Sequence, residues 1–357
     1  MTPTQQLHDL GQSLWIDNIT RGLLDDGTIA RYIADYAVTG LTSNPAIFEK
    51  AIATGAYDVA ISHKAAAGKR GEELFFDLAV EDLQRAADLF APAHAATDGI
   101  DGWVSLEVSP KFAYDAASTV KEAADLHGRA DRPNLFIKIP GTTAGLPAIE
   151  ATIAAGIPVN VTLLFSAEQY LAAADAYMKG IERRIAAGQD PNVASVASVF
   201  MSRWDKAVEG QVPAELENKL ALAVGAEVYR AYCELLDSDR WRRLEGTGAR
   251  PQRALWASTS TKTAGASDTL YVTGLAAPNT VNTMPDVTLE AFHDHGELAG
   301  TLPVDGGDCD AVLAAFAAVG IDKLALAAKL QTDGAYAFVQ SWDALIAAIG
   351  AQTEALG

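Results

Sequence analysis

The chain has 357 residues, 49% of them hydrophobic and 20% charged, which is room for one large α/β barrel or two ordinary domains. A formal net charge of −19 argues against nucleic acid and anionic membranes as partners, although a few cations gathered in one cleft can still bind a phosphorylated metabolite. No apolar run approaches the ~18 residues of a membrane span, the polar start MTPTQQLHDLGQ is no secretory signal, and Cys233 and Cys309 fit no CxxC or Cys/His pattern, so a reduced, cytoplasmic protein is expected.

In chain order, short β-rich segments alternate with longer amphipathic, Ala-rich ones. SLWIDN (13–18) precedes the helical DDGTIARYIADYAV, and VTGLTS (38–43) precedes a long helical insertion over roughly 46–98. WVSLEVS (103–109), NLFIKIP (134–140) and PVNVTLLF (158–165) follow, then SAEQYLAAADAYMKGIERRIAAG, a helix with a Ser cap that ends at Gly188. After SVASVF (195–200) comes the helical PAELENKLALAVGAEVYRAYCELL, and after it ALWAS (254–258). SDTLYVTGL (267–275) has strand propensity but is read as a short helix, because TVNTM (280–284) followed by DVTLEAFHDH makes the better β-then-α pair. From about 300 onward, DAVLAAFAAVG and AYAFVQSWDALIAAIGAQTEAL read as extra helices packed on the rest. Eight β-then-α units predict a (β/α)8 TIM barrel with extra helices after strand two and at the C-terminus. No linker or repeat interrupts 1–357, so one domain is expected, with 300–357 as its helical extension. His293 and His295, two apart on a helix, point to different faces and are read as solvated rather than as metal ligands.

In such a barrel the reactive groups stand at the C-terminal ends of the strands. Those ends offer Asp17; Thr42, Ser43 and Asn44; Glu107; Lys138; Asn160 and Thr162; Ser198, with Arg203 just beyond; and Ser258 and Ser260, with Lys262 further on. Glu107 and Lys138 each interrupt an otherwise apolar strand. A buried ion pair would account for those two alone. Buried pairs are weak stabilisers, however, and a third acid with hydroxyls on neighbouring strands calls for more.

Imine chemistry wants this set. A lysine stripped of water releases its proton more readily and becomes a neutral amine nucleophile. Its attack on a ketose carbonyl gives a carbinolamine, whose dehydration needs a proton donor such as a carboxyl group with a hydroxyl to hold a water. A second carboxylate, taking a proton from the hydroxyl beyond the scissile bond, lets that carbon–carbon bond break. Lys138, Glu107 and Asp17 can fill these parts. The histidines lie elsewhere, which disfavours a metal-dependent aldolase, and no GxGxxG or GxxxxGK[ST] stretch marks a nucleotide site.

The same stretches carry a family resemblance. LWIDNIT around Asp17, TGLTSNPAIF around Asn44, WVSLEVSP around Glu107, NLFIKIPGT around Lys138, NVTLLFS around Thr162 and SVFMSRWD from Ser198 to Arg203 occur in one order over roughly 12–295. In them the chain resembles transaldolase, a class I Schiff-base aldolase, in its longer bacterial form. The resemblance implies transfer of a dihydroxyacetone unit between sugar phosphates, with no metal or organic cofactor. It implies Lys138 as the Schiff-base lysine, Asp17 as the acid/base on the substrate hydroxyl, and Glu107 and Thr162 as holders of the relaying water. Asn44 and Ser198 would bind hydroxyls of the three-carbon unit and Arg203 the phosphate, while Thr42 and Asn160 match neighbouring positions that contact substrate or support the strands.

Two positions depart from or refine the pattern. Many members end strand seven in Ser-x-Arg, whereas Ser258 here is followed by Thr259 and Ser260; Lys262, with the Ser260 hydroxyl, is expected to replace that arginine. Phe200 stands where relatives that simply cleave fructose 6-phosphate carry tyrosine, and a phenyl ring offers no hydroxyl to a hydrolytic water. Transfer is therefore expected over hydrolysis. The alternatives are a related fructose-6-phosphate aldolase, distinguished by turnover without an acceptor, and a non-catalytic barrel used for interaction. An Ala-rich helical surface suits either a monomer or a homodimer.

Overall fold

A computed structural model describes residues 1–263 and 265–356. Eight strands, β1 (Ser13–Ile16), β2 (Val38–Thr42), β3 (Trp103–Glu107), β4 (Leu135–Pro140), β5 (Val159–Leu164), β6 (Ser195–Phe200), β7 (Gln252–Ala257) and β8 (Val281–Met284), form a closed barrel in sequence order. Every neighbouring pair is parallel, including β8 with β1. The expected (β/α)8 barrel is thus the observed one.

Strands buried on both faces explain the near-continuous apolar runs. Leu135, Ile137 and Ile139 of β4 are fully buried, as are Leu14 and Ile16 of β1. The alternate residues fill the barrel. Trp15 on β1 lies 6.1 Å from Phe136 on the non-adjacent β4, and Phe136 stacks on Trp103 at 4.1 Å, so three rings form a floor inside. Gly40 makes room for them: a Cβ there would sit 2.7 Å from the Trp15 ring and 2.6 Å from the Trp103 carbonyl oxygen. With the interior blocked by aromatic rings, the polar residues one layer higher must open toward the C-terminal mouth.

Several boundaries differ from the sequence reading. β1 ends at Ile16 and β3 at Glu107, which leaves Asp17 just past its strand and Glu107 at a strand terminus. β7 begins earlier than ALWAS, at Gln252. Its polar first residues hid it, but they are buried at the barrel bottom, where the Arg253 guanidinium donates to Ser13 Oγ (2.7 Å) and the Thr280 carbonyl (2.8 Å). The segment Leu270–Gly274 is helical, as expected. Within 46–98, the helix Gly71–Ala96 packs against β2 and β3 as their crossover, so the insertion proper is the pair Pro45–Ile52 and Asp58–Ala66. The tail forms Cys309–Ala318 and one 34-residue helix, Lys323–Leu356, which starts well before AYAF and runs through Gly334. Among the described residues no single helix is long and apolar enough to cross a membrane.

His293 is a correction. It is half-buried rather than solvated, with Nδ1 bonded to Thr4 Oγ1 at 2.9 Å and its ring stacked on Tyr36 at 3.9 Å. His295 is exposed, and its contacts with Asp268 and Asp294 raise its pKa.

Candidate active site

Parallel pairing places Glu107, Lys138 and Asn160 in one row, because Glu107 is in register with Lys138 and Lys138 with Asn160. Residues in register point to the same face, so all three enter the barrel together. Glu107 and Lys138 are only 4% and 5% exposed. The Lys138 ammonium lies 3.4 Å from Glu107 Oε2 and donates to the Ser43 carbonyl at 3.1 Å, which aims it under the end of β2. The contact with Glu107 is an ion pair without good hydrogen-bond geometry: among the described residues neither carboxylate oxygen has a hydrogen-bonded partner. Thr162 Oγ1, also buried, lacks one too. Burial raises the Glu107 pKa to about 7; Lys138 opposes the rise and Asp17 adds to it.

Asp17 is held from the side. Thr42 donates to its Oδ1 at 2.8 Å, and the Thr42 hydroxyl is itself within 2.8 Å of Thr283 Oγ1 on β8. Asn44 caps the helix Pro45–Ile52, its Oδ1 accepting the Ile47 N–H at 3.2 Å, so the amide NH2 is the group left for a ligand. Ser198 donates to Asn160 Oδ1 at 2.7 Å, and Asn160 Nδ2 donates to Ser105 Oγ at 3.1 Å, a chain across three strands. β5 breaks register between Val161 and Leu164, with Leu163 at φ 62°, immediately after Thr162. Such bulges re-aim side chains beside active sites.

The mouth is a cavity of about 270 Å³ lined by Asp17, Thr42, Asn44, Lys138, Ser198, Phe200, Arg203, Ser258, Ser260, Lys262 and, from the C-terminal helix, Ala337, Phe338 and Ser341. Glu107 and Asn160 stand in the Lys138 row, and Thr162, in register with Pro140, lies two residues further toward the C-terminal end. Ser258, at φ 55°, lies 3.0 Å from Ser202 Oγ and 3.5 Å from the Lys262 ammonium. Left-handed backbone on a serine costs roughly 1–3 kcal/mol and recurs at ligand sites. Lys262 is exposed by surface area, yet enough protein crowds its ammonium for desolvation to lower its pKa; Arg203 lowers it further and Asp17 opposes. Burial alone lowers the Arg203 pKa. Two cations, Arg203 and Lys262, therefore share the rim with Asp17. A larger cavity, about 580 Å³, opens at the other end of the barrel beside Ser13, Ser195 and Arg253, beneath the aromatic floor and away from Lys138.

The structure brings the sequence candidates together around one mouth. Sequence reasoning passed over Thr283, Ser105 and Ser202, which hold candidates in place, and Phe338 and Ser341, which reach the site from the tail. Ser105 alternates with Glu107 on the same strand and was legible by that period. The tail residues carry no local signal, because only tertiary packing puts them there. Among the described residues no group of three or more His, Cys, Asp or Glu is placed to hold a metal ion.

The arrangement is a buried amine beside a protonatable carboxyl, a second carboxylate held by hydroxyls, and a cationic rim. Its comparison with known proteins is consistent across the chain. The family model Transaldolase/Fructose-6-phosphate aldolase matches residues 14–349. The chain is 45% identical to the transaldolase of Arthrobacter sp. (strain FB24) over 355 residues, covering 97% of this chain and 96% of that one. It is also 45% identical to the transaldolases of Parafrankia sp. (strain EAN1pec), over 98% of both chains, and Thermobifida fusca (strain YX), over 99% of both.

Proposed function

Because the chain belongs to the transaldolase/fructose-6-phosphate aldolase family, we propose that Lys138, Glu107 and Asp17 carry its chemistry, with Arg203 and Lys262 binding phosphate. The activity is that of a transaldolase: a transferase moving a dihydroxyacetone unit between sugar phosphates through a lysine Schiff base. It interconverts sedoheptulose 7-phosphate plus glyceraldehyde 3-phosphate with erythrose 4-phosphate plus fructose 6-phosphate, in the non-oxidative pentose phosphate pathway.

The observation that carries the residue assignment is the buried contact between Lys138 and a Glu107 whose pKa stands near neutrality. In this reading the Lys138 ammonium passes its proton to the Glu107 carboxylate, 3.4 Å away, and the neutral Nζ attacks the ketose carbonyl carbon. The protonated carboxyl of Glu107, through a water held with Thr162, protonates the carbinolamine oxygen, and water leaves to give the iminium. Asp17 takes the proton from the hydroxyl on the fourth carbon, the bond between the third and fourth carbons breaks, and its electron pair moves into an enamine on Lys138. The aldehyde product departs. The enamine carbon then attacks the acceptor aldehyde, the new alkoxide recovers its proton from Asp17, and hydrolysis releases Lys138. Asn44 and Ser198 bind hydroxyls of the retained unit. Thr42 orients Asp17, and Asn160 orients Ser198. Ser258 and Ser260 border the phosphate beside Lys262.

Phe200 bears on transfer against release. Its ring is 6% exposed and packs 5.5 Å from Phe165, so it lines the mouth with carbon where a hydroxyl could hold water. Fructose 6-phosphate supplied alone is expected to give one turnover of aldehyde and then stall until erythrose 4-phosphate is added. Steady release of free dihydroxyacetone without an acceptor would instead make the protein a fructose-6-phosphate aldolase. We also read 1–357 as a single cytoplasmic domain whose acidic surface turns away nucleic acid and membranes. An apolar core running from Leu7 to Ile349 and the net charge of −19 support that reading.

A further inference from the structure

Arg203, at the start of the helix Ser202–Val208, is half-buried, and no carboxylate among the described residues lies close enough to shift it. An unpaired guanidinium in such a place is costly, and a long side chain left free would sample many rotamers. Two aromatic faces hold it instead. Its Cζ lies 4.9 Å from the centroid of Phe200 and 5.9 Å from that of Phe338, and the two rings stand 6.3 Å apart. Gly334 closes the third side: a Cβ there would come within 2.9 Å of Arg203 Nη1 and 3.0 Å of Leu163 Cδ2.

Gly334 and Phe338 are four residues apart on the helix Lys323–Leu356 and so share a face. A glycine in a helix interior weakens the helix, and it is expected only where a close approach requires it. Gln331, one turn earlier, donates to the carbonyls of Gly141 (3.1 Å) and Leu163 (3.0 Å), at the ends of β4 and β5. That contact fixes the helix face above the mouth.

We infer that Gly334 and Phe338 of the C-terminal helix are positioning residues for Arg203, forming with Phe200 a carbon-lined cradle that keeps its guanidinium free of any protein acid and directed at the substrate phosphate. The phosphate then supplies the missing counter-ion. Discrimination between phosphorylated and unphosphorylated sugars is thereby shared between the barrel and the tail. The inference rests on reading Arg203 as a phosphate ligand, and its test separates the two.

Arg203→Ala, Phe338→Leu and Gly334→Ala are compared with the parent enzyme in three measurements: KM and kcat for fructose 6-phosphate, competitive inhibition by inorganic phosphate, and the rate of borohydride trapping of dihydroxyacetone, which has no phosphate. Arg203→Ala is expected to raise the phosphate inhibition constant at least about ten-fold, as for a charge-assisted contact. Phe338→Leu and Gly334→Ala are each expected to raise it about five-fold, a larger change than in trapping. If Arg203→Ala weakens phosphate binding while both tail variants leave it within two-fold, the cradle is refuted and the phosphate reading stands. If the tail variants reduce trapping as much as phosphate binding, they only hold the helix in place and the inference falls. An inhibition constant unmoved by Arg203→Ala removes the phosphate reading and the cradle together.

Discussion

Burial and Lys138 act on the Glu107 proton in opposite senses, and burial prevails, taking the pKa from 4.5 to about 7. A carboxyl group whose folded pKa is raised binds its proton more tightly in the folded than in the unfolded chain. Its ionisation therefore removes stability as pH rises from about 4.5 to about 7. Glu107→Gln cannot ionise and escapes that loss. The variant is expected to match the parent near pH 4.5 and to become more stable relative to it up to about pH 7, the gap then levelling, as urea titrations at several pH values would show. A constant gap across that range would mean the carboxyl does not titrate there. Lys262 poses a different question, because an exposed cation at the rim contributes little unless a ligand meets it. Lys262→Ala is expected to raise KM for fructose 6-phosphate roughly five-fold with kcat nearly unchanged; an unchanged KM would remove it from the phosphate site. Asp17, Glu107 and Lys138 were legible in the sequence because charge is rare in an apolar strand and has few inexpensive explanations. Phe338 was not, since an aromatic residue in an amphipathic tail helix looks like core until its neighbours are known.

The C-terminal helix is where element-level reading stopped short. Its helical character was plain, but the sequence does not say which part of the barrel it covers. Trp342 supplies the anchor: it is 1% exposed, its ring meets Phe75 at 5.1 Å and Phe76 at 5.4 Å, and its Nε1 donates to Glu72 at 2.8 Å. That anchor lies on the crossover helix Gly71–Ala96, so the insertion region and the tail brace each other over the mouth. Trp342→Ala is expected to cost about 3–5 kcal/mol of stability and to raise KM by loosening Phe338 above the site, measured by urea denaturation alongside steady-state kinetics. A stability loss with KM unaltered would show that the helix covers the site without shaping it. The start of β7 shifted by two residues for a simpler reason: the polar side chains of Gln252 and Arg253 hydrogen-bond inside the barrel, and no local pattern reveals that.

At the scale of the whole molecule, the alternation of eight apolar segments with amphipathic ones carried the barrel, because each period reports a face and the faces allow few closed arrangements. The aromatic floor of Trp15, Trp103 and Phe136 then makes the barrel one-ended, leaving charged side chains of the layer above only the C-terminal mouth. An acidic protein of net charge −19 presents that mouth with Arg203 and Lys262 on its rim, so local charge opposes the overall field where a sugar phosphate must enter. What joins sequence, barrel and reaction is the claim that Lys138 forms the covalent intermediate. The direct measurement is incubation with fructose 6-phosphate, reduction with borohydride and peptide mapping of the added mass. A three-carbon adduct is expected on Lys138 and on no other lysine. A folded sample with no adduct, or with the adduct on a different lysine such as Lys262, would contradict it.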